Sequence, residues 1–64
     1  MLEYLRESMM FMSVRREGKT VATLYISEKD STWRVYSISS SHAESNDLRA
    51  IADKLDELNG ARPK

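Results

Sequence analysis

The chain has 64 residues, and ten Lys and Arg balance ten Asp and Glu, so its formal net charge is zero. This length allows one domain, whose single core seldom supplies more than roughly 3–5 kcal/mol without a disulfide, a metal or a partner subunit. The sequence has no Cys and one His, which excludes disulfides, thiolate zinc sites and polyhistidine metal clusters.

The N-terminal segment has an ambiguous pattern. A helical spacing links four of its apolar residues: Leu2, Leu5, Met9 and Met12. The apolar run over residues 9–14 suits a strand equally well. We predict a strand over residues 10–16 and a frayed or helical lead-in over residues 1–8. No secretory signal or membrane span is predicted, because acidic residues interrupt the segment and no run of about 18 apolar residues occurs. A cytoplasmic location is therefore expected.

Two alternating segments follow and predict further strands. Glu17-Gly18 is typical of a two-residue hairpin turn, in which Gly18 takes a positive φ. Residues 19–27 form the next predicted strand, and alternation places its side chains on two faces: Ala22, Leu24 and Ile26 on one, Val21, Thr23 and Tyr25 on the other. Residues 28–31 are polar and predict a reversal. Residues 32–39 form the third strand, for which both registers remain open, so a three-stranded antiparallel meander is predicted.

The C-terminal third predicts one amphipathic helix. Ser41 and Glu44 fit a capping box, and Ser45 is the alternative N-cap. An apolar stripe follows at helical spacing: Leu48, Ile51, Ala52, Leu55 and Leu58. Gly60 is the expected residue after the helix, and a disordered tail is expected over residues 61–64. The predicted fold is a single α+β domain in which this helix packs on one face of the sheet.

The sequence favours no catalytic or cofactor chemistry. His42 lies near Glu44, Ser45 and Asp47, but neighbouring side chains at a helix entrance point in different directions and do not converge on a substrate. Both glycines have turn or cap roles, so no glycine-rich phosphate loop can form. We therefore expect no enzyme activity, no cofactor and no bound metal.

The sequence points instead to protein interaction. One helix covers only one face of the sheet, so the other face keeps aromatic side chains, which usually mark interfaces on a small domain. The alternative is that residues 1–12 fold over that face. The expected partner-binding residues are Tyr25, Trp33, Arg34 and Tyr36, with Asp53, Asp56 and Glu57 as a secondary acidic contact on the helix. We expect a regulator or inhibitor of another protein, and a homodimer because the core is small.

Nucleic-acid binding by the same sheet is the alternative function. Aromatic and arginine side chains on a sheet stack bases, and phosphate contacts would come from Arg15, Arg16, Lys19 and Arg34. The predicted order of three strands and a helix resembles the arm-binding domains of tyrosine recombinases, which bind DNA with a three-stranded sheet. The neutral charge balance disfavours this alternative, because domains that bind phosphates usually carry a basic excess.

Overall fold

A computed structural model describes residues 1–60 as a four-stranded antiparallel sheet carrying one helix. The strands are β1 (Leu2–Arg6), β2 (Phe11–Arg16), β3 (Lys19–Ile26) and β4 (Trp33–Ile38), and the helix is α1 (Ser45–Leu58). The strands lie in chain order in the sheet. The α+β class and the C-terminal helix are confirmed, whereas the prediction of three strands is wrong. The predicted disordered tail over residues 61–64 lies outside the described residues.

The additional strand is the N-terminal segment, for which a helical lead-in was the wrong prediction. β1 pairs with β2 in a regular register that sets Leu2 opposite Arg16 and Tyr4 opposite Val14. Leu2 and Tyr4 alternate toward the core, whereas Glu3 between them is exposed. A helix of eight residues is marginal in water, whereas a strand here gains a full hydrogen-bond ladder along β2. The helical spacing of the Leu and Met residues is therefore coincidental.

The β2–β3 turn confirms one sequence prediction, and the strand after it corrects another. Glu17 and Gly18 both have positive φ, at 54° and 79°, as a two-residue hairpin of this hand requires. Beyond the turn the register shifts, and Val21 is the extra residue between the paired residues Thr20 and Ala22. Because this bulge interrupts the alternation, Val21 is fully buried in the core and does not share a face with Thr23 and Tyr25.

The helix begins between the two predicted caps, Ser41 and Ser45. Its N-cap is Glu44, whose backbone N–H donates to the Asp47 carboxylate at 3.0 Å. Ser41 is not the cap, because it lies in a turn in which the Ser39 carbonyl accepts hydrogen bonds from the N–H groups of His42 at 3.3 Å and Ala43 at 3.0 Å. Ser45 is not the cap, because it is already the first residue of the helix. Gly60 follows the helix with φ +74°, as predicted.

The core lies between the helix and one face of the sheet. Its buried apolar residues are Met12, Val14, Val21, Ala22, Leu24, Trp33 and Ile51. Leu55 and Leu58 pack against them, but Leu48 is 41 % exposed and Ala52 is also exposed. The apolar stripe of the helix that meets the sheet is therefore narrower than the predicted one.

A buried ion pair fixes the first turn of the helix to β2. The Arg16 Nε donates to both carboxylate oxygens of Asp47 at 3.2 Å, and its Nη2 donates to the His42 carbonyl at 2.8 Å. The Asp47 side chain is only 7 % exposed, whereas Arg16 is 28 % exposed. The Asp47 carboxylate thus has two roles: it caps the helix, and it balances the positive charge of Arg16.

An amide clamp fixes the opposite end of the helix to β4. The Asn59 side chain accepts a bond from the Trp33 N–H at 2.7 Å and donates to the Trp33 carbonyl at 3.1 Å. Asn59 therefore satisfies backbone groups of an edge strand as a neighbouring strand would. Because Arg16 ends β2 and Trp33 begins β4, the helix runs diagonally across the sheet.

The burial asymmetry of the ion pair predicts an asymmetry in stability. Arg16→Met leaves a buried carboxylate without its cation and should lower the unfolding free energy by about 3 kcal/mol. Asp47→Asn keeps an acceptor for the more exposed arginine and should cost about 1 kcal/mol. Urea unfolding followed by circular dichroism measures both, and Arg49→Met, an exposed arginine on the helix, should stay within about 0.5 kcal/mol of the unmutated chain. A larger loss in Asp47→Asn than in Arg16→Met would contradict this account.

Candidate interaction surface

The sheet face opposite the helix, here called the open face, carries the residues that alternate with the core. On β2 and β3, Met12 pairs with Leu24 in the core, so the adjacent pair Phe11 and Tyr25 points the other way. The strand registers and the ring contacts of Tyr36 assign the remaining members, and the open face comprises Glu3, Leu5, Phe11, Ser13, Arg15, Thr23, Tyr25, Arg34, Tyr36 and Ser37. No strand or helix within residues 1–60 covers this face, because the N-terminal segment extends the sheet at its edge, and Ser13 is its one buried member among the described residues.

Three aromatic rings from three neighbouring strands meet at the centre of this face. The Tyr36 ring makes edge contacts with Phe11, at a centroid distance of 5.4 Å, and with Tyr25, at 6.0 Å. Tyr36 is also the extra residue where the β3–β4 register shifts, between Val35 and Ser37. Its side chain remains 65 % exposed. Edge-to-face packing therefore holds an exposed ring in a defined position.

Both arginines of the open face already have acidic partners. Arg34 donates to the Asp30 carboxylate at 2.7 Å, and Arg15 lies 3.8 Å from Glu7. The hydrogen bond from the Thr32 hydroxyl is the main cause that lowers the pKa of Asp30, and Arg34 adds to it. Asp30 is therefore a carboxylate near neutral pH, and the ends of the aromatic cluster are electrically neutralised.

The structure groups some of the predicted partner-binding residues and separates others. Tyr25, Arg34 and Tyr36 lie together on the open face, as a protein-binding surface would require. Trp33 lies on the other face, buried in the core with the Arg6 guanidinium 5.3 Å from its ring centroid. Phe11 completes the cluster and was missed, although alternation from Met12 within the predicted strand could have placed it there.

The acidic residues of the helix form a separate surface. Asp53, Asp56 and Glu57 are all exposed, and α1 lies on the side of the sheet away from the aromatic rings. The Lys54 ammonium lies 4.9 Å from the Tyr4 ring centroid and 3.7 Å from Glu57. Partial burial raises the pKa of Tyr4, and the negative charges of Glu57 and Asp53 raise it further. A flat partner surface on the open face would not reach these carboxylates.

The basic residues of the nucleic-acid alternative do not form one surface. Arg15 and Arg34 lie on the open face, each paired with a carboxylate. Arg16 is bound to Asp47 on the helix side, and Lys19 begins β3 beside the hairpin turn. A phosphate backbone lying on the sheet would thus meet two arginines, each of which lies beside a carboxylate of the chain.

The remaining polar groups make local structural contacts. His42 is half-buried, and its carbonyl rather than its ring binds Arg16. A cleft of about 540 Å³ beside β1 contains Arg16, Glu44 and Asp47, which already bind one another. Within residues 1–60, no group of three or more His, Asp or Glu side chains is placed to hold a metal ion. No described helix has the length and apolar character needed to cross a membrane.

Comparison with protein-family models, with curated proteins and with solved structures gives no match for this chain. The resemblance in element order to arm-binding domains also weakens, because β1 precedes the three strands on which it was based.

The two aromatic side chains that flank Arg34 and Val35 should differ sharply in their effect on stability. Trp33→Ala removes a buried ring from the core and should cost about 3–5 kcal/mol, enough to unfold most of a domain of this size. Tyr36→Ala removes an exposed ring and should cost about 1 kcal/mol or less. Urea unfolding curves for both variants test this difference, and equal losses would contradict the assignment of the two rings to opposite faces.

Proposed function

We propose that the protein is a non-enzymatic interaction module that regulates or inhibits another protein by binding it through the open face. The observation that carries this proposal is the exposed ring of Tyr36, held by Phe11 and Tyr25 on a sheet face that nothing in residues 1–60 covers. Aromatic side chains dominate the energetics of many protein interfaces, because they bury a large area at a small cost in conformational entropy.

The charges of the face indicate what kind of partner it suits. Arg15 and Arg34 each lie beside a carboxylate of the chain, although the buried Arg15 Nε has no hydrogen-bond partner among the described residues. The aromatic centre is the exposed part of the face that carries no charge. An apolar, uncharged patch on a folded protein can desolvate the three rings without breaking either ion pair. Phosphates would have to compete with Glu7 and Asp30 for the same guanidinium groups. The arrangement therefore favours a protein partner over a nucleic acid.

The proposal includes a secondary contact and a location. Asp53, Asp56 and Glu57 would engage a basic region of a partner large enough to reach the helix side, where their contribution would be sensitive to salt. A chain without Cys needs no oxidising compartment, which is in keeping with a cytoplasmic location.

Affinity capture with a matched pair of variants tests the proposal. Tyr36→Ala removes the central ring of the open face, whereas Met9→Ala removes an exposed apolar side chain from the β1–β2 loop. We expect the immobilised protein and Met9→Ala to retain the same partner from a cell extract, and Tyr36→Ala to lose it while keeping its helicity. Equal capture by Tyr36→Ala would overturn the proposal.

A nucleic-acid titration separates the two functions. We expect no binding of single-stranded or double-stranded DNA or RNA even at low salt. Binding that weakens steeply with added salt and is lost in Arg34→Gln would replace the protein-partner proposal with the nucleic-acid alternative.

A further inference from the structure

Within residues 1–60, the outer edge of β4 is the second feature that lacks a partner. β4 is the last strand of the described sheet, so one side of its backbone has no neighbouring strand there. Asn59 occupies that side only at Trp33, where it binds both the N–H and the carbonyl. Because backbone groups alternate in direction along a strand, the N–H and carbonyl of Val35 also point outward, and no side chain of the described residues binds them as Asn59 binds Trp33. Open edges of this kind pair readily with another strand.

An apolar strip runs beside this edge on the helix side of the sheet. Val35 and Ile38 pair with the core residues Leu24 and Ala22 and so share their face, yet they are 36 % and 46 % exposed. On the helix side, Asn59 contacts β4. Ala52 and Leu48 precede Asn59 by about two and about three helical turns, so they lie on the same side of the helix as Asn59. We call this strip the β4 flank: Val35, Ile38, Leu48 and Ala52.

We propose that a second copy of this chain binds at the β4 edge, with the two β4 strands antiparallel about a two-fold axis. Such an arrangement would join the two sheets into one of eight strands and set each β4 flank against its symmetry mate. A strand edge paired antiparallel with itself is self-complementary, as a two-fold interface requires.

Charge and size argue for a second copy as the occupant. The β4 flank contains no charged residue, so two copies can meet without burying an unpaired charge. The formal net charge of the chain is zero, and copies therefore do not repel one another strongly. A 64-residue chain without disulfides gains most from covering apolar surface by self-association.

The other free edge of the sheet is poorly suited to this role. β1 carries Glu3 and Arg6, and the ammonium of Lys54 lies over its Tyr4 ring. Charged side chains at an edge oppose strand addition, because pairing would bring them out of water. β4 also carries a charged residue, Arg34, but its guanidinium lies on the open face and is bound to Asp30, so the helix side of the β4 edge remains uncharged. Within residues 1–60, the β4 edge is therefore the one that combines unpaired backbone with an apolar flank.

Site-specific cross-linking tests which edge pairs. The chain has no Cys, so one introduced thiol is the only reactive site. Ser37→Cys places it on β4, and Glu3→Cys places it at the matching exposed position on β1. A short bis-maleimide tolerates a register difference of about two residues, each a rise of roughly 3.3 Å. We expect a cross-linked dimer from Ser37→Cys and only background from Glu3→Cys. Equal yields from the two variants would overturn the proposal.

The solution mass over a concentration series tests the apolar contact independently. We expect a dimer whose dissociation constant weakens at least about tenfold in Ile38→Lys and in Leu48→Lys. Leu48 lies on the helix, where Lys is well tolerated, so the second variant should fold even if the first does not. Leu5→Lys on the open face should leave the dimer unchanged. A monomer up to about millimolar concentration, or a dimer unaffected by Leu48→Lys, would overturn the proposal.

Failure of this inference would leave the proposed function standing. Loss of partner capture in Tyr36→Ala depends on the open face, whereas loss of the dimer in Leu48→Lys depends on the β4 flank on the other side of the sheet.

Discussion

A single helix can cover only one face of a sheet, and this constraint determines the remaining surfaces of the molecule. The 14 residues of α1 span about 21 Å, enough to cross four strands on one side. The chain has no second helix within residues 1–60 to cover the other side. The N-terminal segment, which could have done so, pairs with β2 instead. The apolar residues of the far face must therefore stay in water or meet another molecule.

The diagonal course of the helix explains why its two ends are held by polar contacts. At the first turn, Asp47 faces β2 and meets Arg16, so a charge replaces an apolar residue at one end of the stripe. At the last turn, Asn59 meets the backbone of Trp33 at the opposite corner of the sheet. Both contacts are directional, unlike the apolar packing of Ile51 between them, and they fix the rotation of the helix on the sheet. That rotation leaves Leu48 and Ala52 exposed, on the side of the helix that carries Asn59.

The predictable parts of the fold were those with a local cause. The helix α1, the hairpin at Gly18 and the helix stop at Gly60 follow from residues close in sequence, and the structure confirms them. Features that depend on pairing between strands were missed. The bulge that buries Val21 requires knowledge of the β2–β3 register, which alternation within β3 cannot supply. β1 was missed because its gain comes from the edge of β2 and not from its own sequence.

The residues of the candidate site also include some that could be predicted from the sequence and some that depend on contacts between distant residues. Tyr25 and Tyr36 were both predicted to bind a partner through the sheet, and in the structure their ring centroids are 6.0 Å apart on one face. The sequence left open which face Trp33 would take, because both faces of its strand hold apolar side chains. In the structure, Trp33 faces the helix, and Asn59 at the end of the helix bonds its backbone. Asn59 lies 26 residues further along the sequence, so no local sequence pattern could predict this contact. The Arg16–Asp47 pair was likewise invisible, since each residue alone resembles an ordinary surface charge.

The central claim is that the aromatic face is open to solvent in the isolated chain, and one measurement tests it most directly. Proton NMR with a soluble paramagnetic agent reports the access of solvent to individual side chains. We predict strong broadening of the ring protons of Tyr36 and Phe11 and little broadening of the Trp33 indole. Protection of Tyr36 equal to that of Trp33 would show that the chain covers its own aromatic face, and it would contradict this account of the molecule.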